Sequence, residues 1–114
     1  MKRLDALDAA RTAVAAGKDR PATAVIHDTD DVRLVVFRLA PGQAVPPHRS
    51  VSSVMLTVLE GSGTLSGEAE GQPVELAFKS GESVAYEPNE LHGMRAYDTE
   101  MLLLATITPR PGSR

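Results

Sequence analysis

The chain has 114 residues, 42% hydrophobic and 24% charged, with a formal net charge of -3 and no cysteine. That length supports one domain able to bury roughly two thirds of its unfolded surface, and the composition is that of a globular protein rather than a disordered or membrane-embedded one. Charges of both signs are mixed along the chain and aromatic residues make up 4%, which speaks against nucleic acid, while the missing thiols exclude disulfides, thiolate metal centres and cysteine nucleophiles.

Met1-Lys2-Arg3 has the positive start of a secretion signal, but Asp5, Asp8 and Arg11 interrupt the apolar stretch that such a signal needs. The protein is therefore expected to be cytoplasmic, with no membrane partner. Over residues 4 to 16, Leu4, Leu7, Ala10, Arg11 and Val14 recur at three- and four-residue spacing, which predicts one short amphipathic helix ended by Gly17. From Thr23 onward the period shortens, and β-rich runs are separated by Gly, Pro, Asp and Asn.

Nine strands are predicted: Thr23 to His27, Val32 to Leu39, Ala44 to Pro47, Val51 to Glu60, Thr64 to Glu68, Val74 to Phe78, Ser83 to Tyr86, His92 to Ala96 and Glu100 to Ile107. Short strands at even spacing after a single helix imply an all-β sandwich or barrel. The expected organisation is a helix and linker over 1–22, a β domain over 23–108 and a flexible tail over 109–114, where two prolines block sheet pairing. In Val74-Glu75-Leu76-Ala77-Phe78 the apolar residues alternate, as one buried face requires, whereas Met101-Leu102-Leu103-Leu104-Ala105 is apolar on both sides. The second side needs a cover, either a partner subunit in a homodimer or the N-terminal helix.

Chemistry concentrates in Pro41-Gly42-Gln43-Ala44-Val45-Pro46-Pro47-His48-Arg49-Ser50 and onward to Gly61. This stretch resembles the first motif of the cupin family, G-x5-H-x-H-x3-E-x6-G, with Gly42, His48 and Gly61 in frame, Ser50 in place of the second histidine and Val54 in place of the glutamate. The second motif, G-x5-P-x-G-x2-H-x3-N, is met by Gly81 and His92, while Glu87, Asn89 and Ala96 stand at its other positions and the proline is displaced to Pro88. The resemblance implies a cupin-type double-stranded β-helix, or jelly-roll barrel, with a short N-terminal helix. It also implies a pocket at His48 and His92, the positions where the family binds a divalent ion such as zinc, nickel, iron or manganese.

The residues themselves support a pocket. His48, Ser50, Ser52, Val54, Leu56 and Val58 occupy alternate positions, so an extended chain points all six to one face, and Met94 and Ala96 share the side of His92. The candidate ligand-binding residues are His48, Ser50, Val54, His92 and Met94, and the candidate metal ligands are His48 and His92. Glu90, Glu87 and His27 are the side chains that could add a third metal ligand. Tyr86 and Tyr97 read as packing residues, and Arg33, Arg38 and Arg49 as solvated side chains with no assigned role. Two functions stay open: a metal-free binder of a small molecule, and a metal-dependent enzyme of the oxygenase or isomerase kind. No catalytic residue is assigned in either.

Overall fold

The structure, a computed structural model, describes residues 1–109. From position 110 on, the expected flexible tail lies outside the described residues. Nine strands follow one helix: α1 (Ala6–Thr12), β1 (Ala22–Asp28), β2 (Arg33–Leu39), β3 (Ala44–His48), β4 (Ser53–Glu60), β5 (Ser62–Ala69), β6 (Gln72–Lys79), β7 (Ser83–Tyr86), β8 (His92–Ala96) and β9 (Met101–Thr108). All nine predicted strands are present, with ends moved by up to two residues. Every pairing is antiparallel, and the strands form a five-stranded sheet of order β1-β2-β9-β4-β7 and a four-stranded sheet of order β3-β8-β5-β6. The two sheets face each other as a jelly roll.

Between the sheets lies the main core, where Leu39, Leu56, Val58, Met101 and Leu103 are almost completely buried. Each such side chain contributes about 1.5–3 kcal/mol over its exposed state. The sheets meet where the chain turns at Gly61, whose φ of +83° belongs to the left-handed region and whose missing Cβ leaves room for the Glu100 carbonyl.

Strand β9 is apolar on both faces for a reason the chain itself supplies. Its Met101 and Leu103 enter the main core, whereas Leu102 joins Ala10 and Val36 in a second buried cluster beneath α1, with Leu104 packed against it. The helix is thus the second cover, and both faces of β9 are explained without a partner subunit.

The helix is shorter than its sequence period suggests. Asp5 caps it by accepting from the Asp8 amide, but it ends at Thr12 rather than at Gly17. Tertiary contacts claim the residues that would extend it: Arg38 donates to the Ala13 carbonyl at 2.6 Å and Ala15 bridges to Ala22. Val14, expected on the apolar stripe, is consequently 82% exposed. Seven residues make a helix that is marginal alone and held by packing.

Strand β6 also departs from expectation. It forms the edge of its sheet, opposite the four-residue β7, so its alternating apolar face is only partly covered and Leu76 is 62% exposed.

Candidate functional site

His48, Ser50, Val54, His92 and Met94 converge on one interior cavity of about 110 Å³, whose remaining wall is Phe37, Val45, Leu56, Ala105 and Ile107. The five come from different places in the fold. His48 ends β3, Ser50 lies in the connection between the two sheets, Val54 sits on β4, and His92 and Met94 sit on β8.

The single extended run read from 48 to 58 is therefore not one strand. Ser52, Val54, Leu56 and Val58 do alternate inward on the five-stranded side, but His48 belongs to the other sheet. Ser52 has the right phase and is buried, yet it does not line the cavity; its hydroxyl donates to the Pro109 carbonyl at 2.6 Å. Ala96, also assigned to the side of His92, is buried in the core below the cavity.

His48 and His92 are direct ladder partners, and their ring centroids lie 4.2 Å apart with the planes at 61°. His92 is 5% exposed at depth, while His48 is exposed at the mouth. Each ring is held the same way: Nδ1 of His48 lies 3.0 Å from the Pro46 carbonyl and Nδ1 of His92 lies 3.1 Å from the Glu90 carbonyl. A carbonyl only accepts, so a ring in its neutral form carries its proton on Nδ1 here and leaves Nε2 as a bare acceptor. Burial lowers the pKa of His92, an effect opposed by its bond to Glu90 and reinforced by His48. The buried ring is thereby kept neutral.

Around the pair, Tyr86 stands 5.2 Å from the His92 ring and donates its phenol to the Ser66 carbonyl at 2.6 Å. Burial first, and the Glu90 charge second, push that phenol up to about 12. Tyr86 is a fixed neutral wall, which agrees with its expected packing role; Tyr97 is 42% exposed.

Arg49 has a role that sequence reasoning missed. It grips Glu68 with two nitrogens at 2.7 and 3.2 Å and donates to the Asn89 carbonyl at 2.8 Å, while Glu68 also accepts from the Leu91 amide. These bonds hold the Glu68 carboxyl below its ordinary pKa. They also tie the connection carrying Ser50 to the loop before His92. No sequence signal pairs 49 with 68. Arg33 and Arg38, likewise unassigned from sequence, pair with Asp28 and Glu100.

A divalent ion of the kind the motifs imply fits this donor set poorly. Two imidazole nitrogens converge on the cavity, but the wall facing them at Val54 is methyl groups, so no carboxylate offsets the ion's charge. None of the three side chains considered as a further ligand lines the cavity, and the Glu90 carboxylate accepts from the Glu87 amide instead. Among the described residues no group of three His, Cys, Asp or Glu side chains could hold a metal ion.

Residues 35–108 match the family described as Cupin domain. An RmlC-like cupin from Desulfovibrio desulfuricans is 27% identical with a TM-score of 0.77, the match covering 96% of this chain and 97% of that one. The TT1209 protein of Thermus thermophilus is 24% identical with a TM-score of 0.79, covering 97% of this chain and 100% of that one. An oxalate oxidase is 16% identical with a TM-score of 0.76, covering 90% of this chain but 58% of that one. Among the described residues, no helix is long and apolar enough to cross a membrane.

Proposed function

The chain belongs to the cupin family, and from that premise we propose that its cavity binds a small organic molecule against His48 and His92 without a metal ion. One observation carries this reading. The cavity gathers two imidazoles and a serine hydroxyl in an otherwise apolar wall, a pattern of few polar groups in a hydrophobic concavity that suits small-molecule recognition.

A metal-dependent enzyme is the second reading, and it has a specific observation in its favour. Metal-binding histidines commonly donate the other ring N–H to a backbone carbonyl, as both rings do here. The fold relation to an oxalate oxidase adds nothing to it, since one fold hosts many activities. Two neutral ligands without a carboxylate weigh against tight binding of a divalent ion.

Protein purified without a metal-affinity tag, examined by elemental analysis and native mass spectrometry, tests the proposal. The expected result is no divalent metal at stoichiometric occupancy and a mass increase with organic ligand. One equivalent of zinc, nickel, iron or manganese, lost in His92→Ala, would overturn it in favour of the enzyme.

A further inference from the structure

We infer that the ligand of this cavity is an uncharged molecule of roughly four to six non-hydrogen atoms that brings a hydrogen-bond donor to the imidazole pair. The inference rests on the reading that the cavity takes a small molecule without a metal, and it adds the ligand's size, charge and polarity.

Size follows from volume. A dry protein cavity of about 150 Å³ holds benzene, with its six heavy atoms. The space here is about 110 Å³. Charge follows from the wall, which carries no Lys, Arg, Asp or Glu. Arg49, between His48 and Ser50 in the chain, is engaged with Glu68, and the Glu90 carboxylate, two residues before His92, accepts from the Glu87 amide. An ion entering so apolar a space would lose hydration without gaining a counter-charge.

Polarity follows from counting donors and acceptors. With Nδ1 of each ring turned to the Pro46 or Glu90 carbonyl, a neutral ring has only a bare Nε2 acceptor left to offer the cavity. Ser50 is the one other polar side chain in the wall, and its oxygen already accepts from the Ser52 amide, so it has a single O–H to give. Two acceptors therefore face one donor. His48 stands at the exposed mouth, within reach of water, so the nitrogen that depends on the ligand is that of the buried His92, to which Ser50 makes no hydrogen bond; a ligand without a donor leaves it unsatisfied.

Four probes of equal heavy-atom count separate the terms: 2-propanol is a neutral donor, acetone a neutral acceptor, acetate an anion and isopropylammonium a cationic donor. Each is titrated into the full chain carrying ¹³C-methyl methionine, with the Met94 methyl and the imidazole ring protons followed by NMR. The expected result is saturable binding of 2-propanol about tenfold tighter than acetone or acetate, with Met94 and His92 shifting together. In His92→Phe the preference for 2-propanol over acetone should vanish. His48→Phe, placed at the exposed mouth, is the parallel variant if the buried change impairs folding. Acetone binding as well as 2-propanol, or a preference that outlasts both histidine changes, overturns the donor assignment while small-molecule binding stands. Tighter binding of acetate or isopropylammonium overturns the neutral class in the same way. No saturable shift at Met94 with any probe overturns the inference together with the reading beneath it.

Discussion

His48 faces His92 because strand β3 carries one extra residue. Val45 pairs with Met94 and His48 with His92, so three steps along β3 are matched by two along β8. In a regular strand an odd separation would send Val45 and His48 to opposite faces. The bulge at Pro46-Pro47 restores both to the cavity side, and proline suits it because neither residue has an N–H to withdraw from the ladder.

The bulge depends on Gly93. A Cβ at that position would stand 3.0 Å from Pro47 Cα, Pro47 N and the Val45 carbonyl, all backbone atoms that cannot rotate aside. Gly93→Ala is expected to push β3 off β8, to cost about 1–3 kcal/mol of stability by overpacking, and to separate the imidazoles. Chemical denaturation reads the loss of stability, and the nuclear Overhauser contact between the His48 and His92 rings reads their separation. A variant as stable as the parent with that contact intact would show that the bulge is not seated on Gly93.

Protonation of His92 should make stability pH-dependent in a defined window. Burial holds its folded-state pKa below the ordinary 6.5, although the Glu90 carbonyl and carboxylate oppose the shift and His48 adds to it. As pH falls below about 6.5 the unfolded chain takes up the proton first, so folding stability declines until the folded-state value is passed. The Glu68 carboxyl, held below its ordinary 4.5 by Arg49 and the Leu91 amide, adds a second decline at lower pH. Denaturation midpoints between about pH 7 and pH 5 should fall for the parent and flatten in His92→Asn, where this titration is gone. An unchanged slope in the variant would assign the dependence elsewhere.

Arg49 and Glu68 clasp the connection that carries Ser50 to the loop before His92. In Arg49→Ala the Ser50 connection loses its anchor to the Asn89 carbonyl and to Glu68, and the Leu91 amide keeps a carboxylate that is itself released. Amide hydrogen exchange at Ser52 and Leu91 is expected to quicken while the β9 amides stay protected. Arg49→Lys should not restore protection, because an ammonium cannot reproduce the two-nitrogen grip. Exchange that is unaltered near Leu91 would remove the clasp.

Much of this was legible in the residues. Turn signals every eight to twelve positions marked all nine strands, and the spacings of Gly42, His48, Gly61, Gly81 and His92 brought the two histidines to one cavity. Alternation alone does not account for that convergence. Alternation from 48 to 58 assumed one unbroken strand, whereas the chain changes sheets between His48 and Ser53 and the parity of His48 comes from the bulge. Periodicity is a local signal, so it also missed what distant groups decide. Arg38 meeting Ala13 stops the helix, Glu68 captures Arg49, and a short β7 leaves Leu76 open.

Because Ser50 and Val54 line the same cavity as His48 and His92, the cavity can be tested by rebuilding a metal centre in it. The double change Ser50→His with Val54→Glu places a third imidazole and a carboxylate opposite the existing pair. Four ligands, one of them anionic, meet the coordination number of zinc and supply the negative charge that the parent wall lacks. The carboxylate enters from β4 and the imidazole from the connection, so the new groups approach from the five-stranded side while the old ones stay on β3 and β8. Overpacking a space of about 110 Å³ opposes the gain by about 1–3 kcal/mol, so folding is checked first by circular dichroism and thermal melting. Calorimetric titration with zinc and nickel should then give an affinity for the variant at least a hundredfold above the parent's, on the order of 3 kcal/mol, and His92→Ala added to the variant should abolish most of it. A folded variant that gains nothing, or a gain that survives the loss of His92, would show that these four side chains do not meet at one point.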